Sequence, residues 1–250
     1  MILLKDGIIM NNDCIIFEYK GKFAHFLRAE ANASAPSYPF PSRTNILGLT
    51  GAVLGLQKDS PQRLLENANF AISGRAQGTH WHTANFRKDP PGPLPKSVKK
   101  RDLGSSKAQR NTIITQEWLL YPEFTVFAQL PAPYHKEFCD RIKNKAWHFT
   151  PCLGLSEMMA DLTFMDIVPL EPLDKGIHFV DSVVRKSLVI LDMGKILDDG
   201  AVMKSIRMPR VVTEERAFLH ESYIYEIHGK KLPVKTAHAL KAGKRVIQWL

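Results

Sequence analysis

A basic, proline-rich stretch in the first half of the chain places the strongest constraint on the fold. Residues 75–110 contain nine Lys and Arg residues against two Asp residues, a local net charge of +7. Four prolines fall within residues 89–95, and proline fixes φ and removes a backbone donor. This segment is therefore incompatible with a helix interior or a central strand. The sequence predicts that it projects from the folded body.

Hydrophobic spacing predicts regular elements on both sides of this projection. Alternation with a period of two indicates strands, and spacing of three to four indicates helices. The predicted elements, in chain order, are one long strand over residues 14–27 with a bulge at Gly21, a helix from Thr44, a strand over 70–73, two paired strands over 112–121 and 124–128, a helix from Pro133, and short strands from residue 151 onward.

Glycines in the first predicted helix indicate close packing on one side. Gly48, Gly51 and Gly55 each cost a helix about 1 kcal/mol relative to alanine. We expect this cost to be offset by close packing of the helix against a sheet. Ser60 and Pro61 predict a second short helix, with the Ser60 side chain as its cap.

The order of these elements predicts the fold class. The predicted order is strand, helix, strand, projection, strand, helix and strand. This order corresponds to a β-α-β-β-α-β unit that is interrupted at its central hairpin. We therefore predict an α+β fold, with a ferredoxin-like (RRM-like) domain over residues 1–150 and a long basic β-hairpin insertion at about residues 75–112. Residues 151–250 are predicted to be β-rich and to complete or flank the sheet. Such sheets are frequent RNA platforms, although a fold alone does not define a function.

The overall charge and the cysteines narrow the class of protein. With 34 Lys and Arg against 25 Asp and Glu, the net charge is +9, which suits a polyanionic partner. Cys14, Cys139 and Cys152 show no metal-type spacing and are odd in number. A disulfide framework and a structural zinc module are therefore not predicted, and a reducing cytoplasmic location is expected.

Membrane passage and metal binding are also not predicted. The longest apolar stretch, residues 46–56, is 11 residues long, whereas a spanning helix needs about 20. Lys5, Asp6 and Gly7 interrupt the apolar N-terminus where a secretory signal needs a continuous apolar core. His80 and His82 are the closest histidine pair and lack a carboxylate or cysteine companion, so no metal or cofactor is predicted.

Three stretches resemble a known family in order and spacing. Residues 37–55 resemble the segment after the first strand in the fifth CRISPR-associated protein family, the Cas-five subunits of type I Cascade complexes. Residues 116–124 are similar to the strand after this family's thumb, and residues 153–157 to its glycine loop. The resemblance extends over about residues 14–170, and the remainder is similar only as a β-rich tail.

The resemblance implies a role in RNA-guided DNA interference. A member of this family has a β-hairpin thumb and caps the 5′ handle of the CRISPR RNA. Its implied partners are the large subunit and the adjacent backbone subunit of Cascade, with target DNA reached through the complex. The Trp-Gly pair that ends the first strand in type I-E members is absent, and His25 and Phe26 stand near that place. A type I-B-like assignment is therefore preferred.

The projecting segment supplies the principal RNA-binding candidates. A single-stranded RNA presents phosphates, which attract cations, and unstacked bases, which stack on rings. A solvated charged loop is the alternative interpretation. The candidates for phosphates are Arg87, Lys88, Lys99, Lys100, Arg101, Lys107 and Arg110, and those for bases are His80, Trp81, His82 and Phe86.

Five further residues are candidates for RNA contact outside that segment. Arg43 lies at a predicted helix start, where backbone N–H groups favour an anion, although pairing with a carboxylate explains it equally well. Lys22 and Arg28 flank the first strand. Gly154 and Ser156 would let the backbone approach a sugar-phosphate chain, or would simply form a turn.

Two other functions remain open at the level of sequence. Type I-C members of the family are thought to cut repeat RNA with a Tyr, Lys and His set, and Tyr134, His135 and Lys136 contain these residue types in a row. Successive helix positions point about 100° apart, which disfavours convergence on one bond. A DNA-binding regulator fits the net charge, but no helix-turn-helix pattern is recognisable.

Overall fold

The computed structural model describes residues 2–3, 9–31, 34–87, 111–213 and 215–250. The strands within these residues are β1 (Ile2–Leu3), β2 (Ile9–Met10), β3 (Asp13–Lys20), β4 (Phe23–Ala24), β5 (Ser34–Ala35), β6 (Asn69–Arg75), β7 (Gly78–Arg87), β8 (Asn111–Leu120), β9 (Glu123–Gln129), β10 (Asp161–Pro172), β11 (Gly176–Val180), β12 (Val184–Arg185), β13 (Ile190–Leu191), β14 (Met203–Val212), β15 (Phe218–Glu226), β16 (Leu232–Thr236), β17 (Leu240–Ala242) and β18 (Arg245–Ile247). The α-helices are α1 (Arg43–Leu54), α2 (Pro61–Leu64), α3 (Tyr134–Lys143) and α4 (Met193–Asp198). Strands dominate, and the predicted α+β class is confirmed.

Six antiparallel strands form the central sheet, in the order β18-β17-β10-β3-β9-β6. β3 pairs with β10 along one edge and with β9 along the other, and β9 pairs with β6. β10 begins at Asp161, so strands from both sides of residue 150 share this sheet. β17 and β18 extend it beyond β10.

The central sheet is buried on both faces. Phe17 of β3 packs with Ile46 of α1 and Phe138 of α3 in the main core. The neighbouring Ile16 points to the opposite face and packs with Ile247 of β18. Because both faces are covered, β3 is a nearly continuous apolar run, and each fully buried Phe or Ile contributes about 1.5–3 kcal/mol.

Two three-stranded sheets make up much of the rest of the chain after β10. β14 lies beside β15, which pairs with β12, and Met208 and Tyr223 from these strands join the main core on its helical side. β11, β16 and β13 form the other sheet around a smaller cluster that includes Val180 and Val234. The C-terminal part of the chain therefore covers the helices as well as extending the central sheet.

The first predicted strand is in fact two strands in two sheets, so the prediction of one bulged strand over residues 14–27 is wrong. β3 ends at Lys20, and the chain turns at Gly21, whose N–H donates to the carbonyl oxygen of Pro122 at 3.2 Å. A Cβ at Gly21 would lie 2.7 Å from the carbonyl oxygen of Met159, so the turn requires a residue without a side chain. The residues that follow form β4, which pairs with β8 outside the central sheet.

β8 and β9 also lie in different sheets, so their predicted pairing with each other is wrong. Tyr121, between them, has a positive φ of 45°, and Pro122 follows it. This turn directs β9 into the central sheet, while β8 pairs with β4, β5 and β7. Alternation identified both strands, but local pattern does not specify which strand is the partner.

The glycines of α1 do not pack against a sheet as predicted. A Cβ at Gly51 would overlap the ring of Pro61, so this glycine lets α2 lie against α1. Gly55 is the C-cap of α1, with a φ of 72°, and a Cβ at Gly48 would meet none of the described residues within 4 Å. Pro61 is the first residue of α2 as predicted, whereas the Ser60 side chain makes no cap hydrogen bond.

Candidate nucleic-acid interface

A long two-stranded hairpin extends beside the central sheet. β7 pairs with β8 along its whole length, from Gly78 opposite Leu120 to Arg87 opposite Asn111. β4 and β5 pair with the other edge of β8 near its base, at residues 119–120 and 115–116 respectively. Six of the residues predicted to contact phosphates lie outside the described residues: Lys88, Lys99, Lys100, Arg101, Lys107 and Arg110. The side chains of Phe86 and Arg87 also lie outside the described part of the chain.

The two faces of this hairpin divide the predicted aromatic residues between them. Directly opposite residues of antiparallel strands point to the same face, and successive residues point to opposite faces. His80 and His82 therefore share one face with Trp118, which lies opposite His80. Trp81 lies on the other face, opposite Glu117, and its side chain is 49% exposed.

Phe23, His82 and Trp118 form a cluster of rings, which we call the aromatic face. The ring centroids of His82 and Trp118 are 4.2 Å apart with an interplanar angle of 30°, and those of Phe23 and Trp118 are 5.4 Å apart. Phe23 is 40% exposed. Phe23 and Trp118 were not predicted as site residues, because the pairing of β4 and β7 with β8 brings their rings together with His82.

Polar contacts fix the base of the hairpin to the rest of the chain. The carboxylate of Glu117 accepts a hydrogen bond from the backbone N–H of Ser37 at 3.0 Å. The backbone oxygen of Glu117 lies 2.8 Å from Nδ1 of His25, whose side chain is buried. Within β8, the indole N–H of Trp118 donates to the side-chain oxygen of Gln116 at 3.3 Å. The contacts with Ser37 and His25 therefore hold the base of the hairpin against the rest of the chain.

Two predicted cations lie near this base and differ in their freedom to bind RNA. Lys22 precedes Phe23 and is exposed. Arg28 is half-buried, and its Nε donates to the carbonyl oxygen of Ser37 at 2.9 Å, with the guanidinium 6.0 Å from the ring centroid of Tyr38. Lys22 is thus exposed as a phosphate-binding residue must be, whereas Arg28 is partly engaged within the chain.

Arg43 occupies a buried position with an intramolecular role. Its guanidinium donates to three carbonyl oxygens: that of Glu66 at 2.6 Å, that of Ala68 at 2.9 Å and that of Arg210 at 3.2 Å. Burial and the neighbouring Arg210 lower the pKa of Arg43 to about 10, which still leaves it charged at neutral pH. The predicted phosphate contact of Arg43 stays untested, and the bonds within the chain already account for this residue.

The predicted glycine loop also makes its contacts within the chain. Gly154 has a φ of 96°, and a Cβ there would overlap the carbonyl oxygen of His25. The adjacent Leu153 accepts a hydrogen bond from the N–H of His25 at 3.0 Å. The Ser156 side chain is exposed and lies 3.2 Å from the carboxylate of Glu157. The glycine is thus required where this loop meets the segment that follows β4.

Tyr134, His135 and Lys136 start helix α3 but do not share one exposed surface. His135 is buried, and its Nδ1 accepts a hydrogen bond from the N–H of Leu130 at 3.1 Å. Its Nε2 lies 3.4 Å from the carboxylate of Asp13. Burial lowers the pKa of His135, and the charge of Asp13 opposes this shift. Tyr134 packs partly against the main core, whereas Lys136 is exposed.

Neither a metal site nor a membrane span is found in the part of the chain that the structure describes. No group of three or more His, Cys, Asp or Glu side chains is arranged to hold a metal ion there. Within the same residues, every helix is too short or too polar to cross a bilayer.

The fold and the site define a strand-rich α+β protein with a projecting hairpin that carries an aromatic face. The family model described as CRISPR-associated protein (Cas_Cas5) matches residues 14–220. The chain therefore belongs to this family, which confirms the resemblance to the Cas-five family. The type I-B-like assignment stays a prediction.

Two solved structures share this fold. A chain described as a CRISPR RNA-guided surveillance complex is 14% identical, with a TM-score of 0.54, over 88% of this chain and 91% of that chain. A CRISPR protein from Archaeoglobus fulgidus is 15% identical, with a TM-score of 0.55, over 94% of this chain and 98% of that chain. At these identities the likeness concerns the fold. Among curated proteins, none matches the sequence.

Proposed function

We propose that this chain is a non-catalytic subunit of a type I Cascade complex that binds and caps the 5′ handle of the CRISPR RNA. Membership of the Cas-five family supports this function, as does the fold shared with a chain of an RNA-guided surveillance complex. In the proposed complex the subunit also contacts the large subunit and the adjacent backbone subunit. It meets target DNA through the assembled particle.

The proposal includes a ferredoxin-like platform with a thumb. The strand order β10-β3-β9-β6, with all pairs antiparallel, supports the platform, because a β-α-β-β-α-β unit places its four strands in this order. α1 connects β3 to β6, and α3 connects β9 to β10. The β7–β8 hairpin lies between the two middle strands of this unit in sequence, where the family's thumb is expected.

The observation that carries the proposal is the aromatic face. Stacking of a base on an aromatic side chain is worth about 1–3 kcal/mol and tolerates any base, so solvent-accessible rings suit a single-stranded RNA. Phe23 is exposed, and His82 and Trp118 are half-buried. Phe23 and His82 flank Trp118, and Lys22 stands next to Phe23 to neutralise a phosphate. The basic composition of residues 75–110 adds the electrostatic attraction.

Binding of a fluorescently labelled RNA to face-specific variants tests the proposal. We expect Phe23→Ala and His82→Ala each to weaken binding by about tenfold, since a lost base stack costs about 1–3 kcal/mol. Trp81→Ala tests the opposite face of the hairpin, and Phe179→Ala, at an exposed ring on β11, is the matched control that should change affinity less than twofold, which is about 0.4 kcal/mol. Weaker binding only for Trp81→Ala would refute the assignment of the aromatic face.

The same labelled RNA, carrying a CRISPR repeat, tests whether the subunit is catalytic. After incubation in EDTA, we expect a denaturing gel to show intact RNA for the wild-type chain. Cleavage at a defined position that His135→Ala abolishes would replace the binding role with that of a metal-independent endoribonuclease.

A further inference from the structure

A second cationic region lies in a cleft between the α1–α2 segment and the end of β14, away from the hairpin. The cleft has a volume of about 880 Å³ and is lined by four arginines against two carboxylates, a net charge of +2. Its cations are Arg43, Arg63, Arg210 and Arg216, and its carboxylates are Asp59 and Glu66. Such a concave, positively charged surface concentrates anions.

The backbone of β14 directs one arginine into this cleft. The register of β14 against β15 shifts between Pro209 and Val211, which leaves Arg210 as an extra residue on β14. Such bulges re-aim a side chain and often lie beside binding sites. Arg210 also donates through Nε to the backbone oxygen of Leu250 at 3.3 Å, which fixes the orientation of its guanidinium.

The other polar groups that line the cleft differ in how many hydrogen bonds and ion pairs they already make within the chain. The guanidinium of Arg43 is bonded to three carbonyl oxygens and forms the floor, and Arg216 pairs with Asp59. Arg63 is exposed. The side-chain oxygen of Gln62 is buried and has no hydrogen-bond partner among the described residues, which a native interior rarely leaves unexplained. Arg63 and Arg210 are therefore the cations best placed for a ligand.

The position of the cleft separates it from the aromatic face. Asn67 and Asn69, at the start of β6, line the cleft, whereas the hairpin begins after the opposite end of this strand, at Gly78. A strand rises about 3.3 Å per residue, so the seven residues of β6 place the two regions about 20 Å apart. One anion could not contact both regions, but a strand of several nucleotides could.

We propose that this cleft binds the phosphodiester backbone of a single-stranded nucleic acid, as a second contact beyond the aromatic face. The inference rests on the proposed function of RNA binding. Arg63 and Arg210 bind phosphates through their planar guanidinium groups, which match phosphate oxygens with paired hydrogen bonds. The amide of Asn67 supplies an uncharged donor to the same strand.

The lining of the cleft favours a nucleic acid over an acidic peptide. Its volume exceeds the need of one carboxylate side chain and lies within the range of sites that hold a whole small molecule, about 300–1,000 Å³. Four of its lining residues are neutral polar groups: Gln62, Asn67, Asn69 and Thr213. The side-chain oxygen of Gln62, which has no partner among the described residues, requires a hydrogen-bond donor, which a sugar hydroxyl or a base amino group supplies and a carboxylate does not.

The salt dependence of binding to the full-length chain tests the cleft. The probes are fluorescently labelled RNA and DNA single strands of the same sequence, and a labelled poly-glutamate peptide. Each phosphate contact adds about 0.7 to the slope of log affinity against log salt for a single strand. We therefore expect Arg63→Gln/Arg210→Gln to lower the slope by about 1.4 and the affinity at 0.1 M salt by on the order of 25-fold.

Matched variants keep this test independent of folding and of the aromatic face. Lys175→Gln/Lys235→Gln removes the same charge from the exposed β11–β16 region and should leave the slope unchanged. Arg63→Gln alone changes an exposed side chain and should lower the slope by about 0.7 even if Arg210→Gln fails to fold. Comparison of the RNA and DNA probes then identifies which strand occupies the cleft.

The outcomes separate this inference from the proposed function. An unchanged slope in Arg63→Gln, with binding still weakened by Phe23→Ala, would overturn the cleft and leave the RNA-binding role standing. Poly-glutamate binding that depends on Arg63 more strongly than nucleic-acid binding does would assign the cleft to an acidic protein instead. Absence of RNA binding by the wild-type chain would overturn the proposed function itself.

Discussion

Replacement of Arg43 by methionine should destabilise the folded chain by about 3–5 kcal/mol, because it leaves three backbone carbonyl oxygens without the charged donor that serves them, at about 1–3 kcal/mol for each buried group. The magnitude of this loss follows from the structure, because Arg43 is only 7% exposed and donates hydrogen bonds to three carbonyl oxygens. Hydrogen bonds to a charged group contribute about 1.5–3 kcal/mol each, and the desolvation of the guanidinium offsets part of their sum. Methionine keeps the apolar stem but leaves the three oxygens without their donor.

Urea unfolding followed by tryptophan fluorescence measures this loss. With a slope of about 3 kcal/mol/M for a chain of this size, the midpoint should fall by about 1–1.7 M. Arg63→Met is the matched control, since Arg63 is exposed, and should change the unfolding free energy by less than about 0.5 kcal/mol. A loss below about 1 kcal/mol for Arg43→Met, accompanied by weaker RNA binding, would refute the structural role and favour the phosphate contact predicted from the sequence.

Two further changes in stability follow from other buried contacts. Burial lowers the pKa of His135, so the stability that this residue contributes is complete above its unfolded pKa of about 6.5 and is lost as the pH falls towards the lower folded pKa. The urea midpoint of His135→Gln should therefore change less between pH 7 and pH 5 than that of the wild-type chain. An equal change in both chains would contradict this. Gly154→Ala should lower the unfolding free energy more than Gly229→Ala. Both residues have a positive φ, but a Cβ would overlap the carbonyl oxygen of His25 at Gly154 alone of the two. Equal losses in the two variants would show that the contact with His25 is unimportant.

The local pattern of the sequence predicted where strands occur better than it predicted which strands pair with each other. The apolar run of residues 14–19 identifies β3, and the alternation of residues 124, 126 and 128 with their neighbours identifies β9, because both segments are rich in β-branched and aromatic residues. The change of sheet at Gly21 depends on contacts with Pro122 and Met159, far along the chain, which no local window contains. The turn at Tyr121 is hidden for the same reason.

The same difference between local pattern and long-range contacts applies to the residues of the candidate site. His82 was identifiable as an aromatic residue in a basic segment, whereas Phe23 becomes part of the aromatic face only through the pairing of β4 with β8. The bonds of Arg43 to Glu66 and Arg210 could not be predicted, because these partners lie 23 and 167 residues away along the chain. The position of a residue on its own strand was thus predictable, whereas its contacts with distant parts of the chain were not.

The unequal support along β8 has a mechanical consequence. Residues 115–120 of β8 are held on one edge by β7 and in places on the other edge by β4 and β5. Among the residues that the structure describes, β7 is the sole partner of residues 111–114. A two-stranded ribbon is less stable than a sheet of three or more strands. Bending of the hairpin should therefore concentrate near Thr115, so a load on the outer part would tilt it about that point while the aromatic face stays aligned with the central sheet.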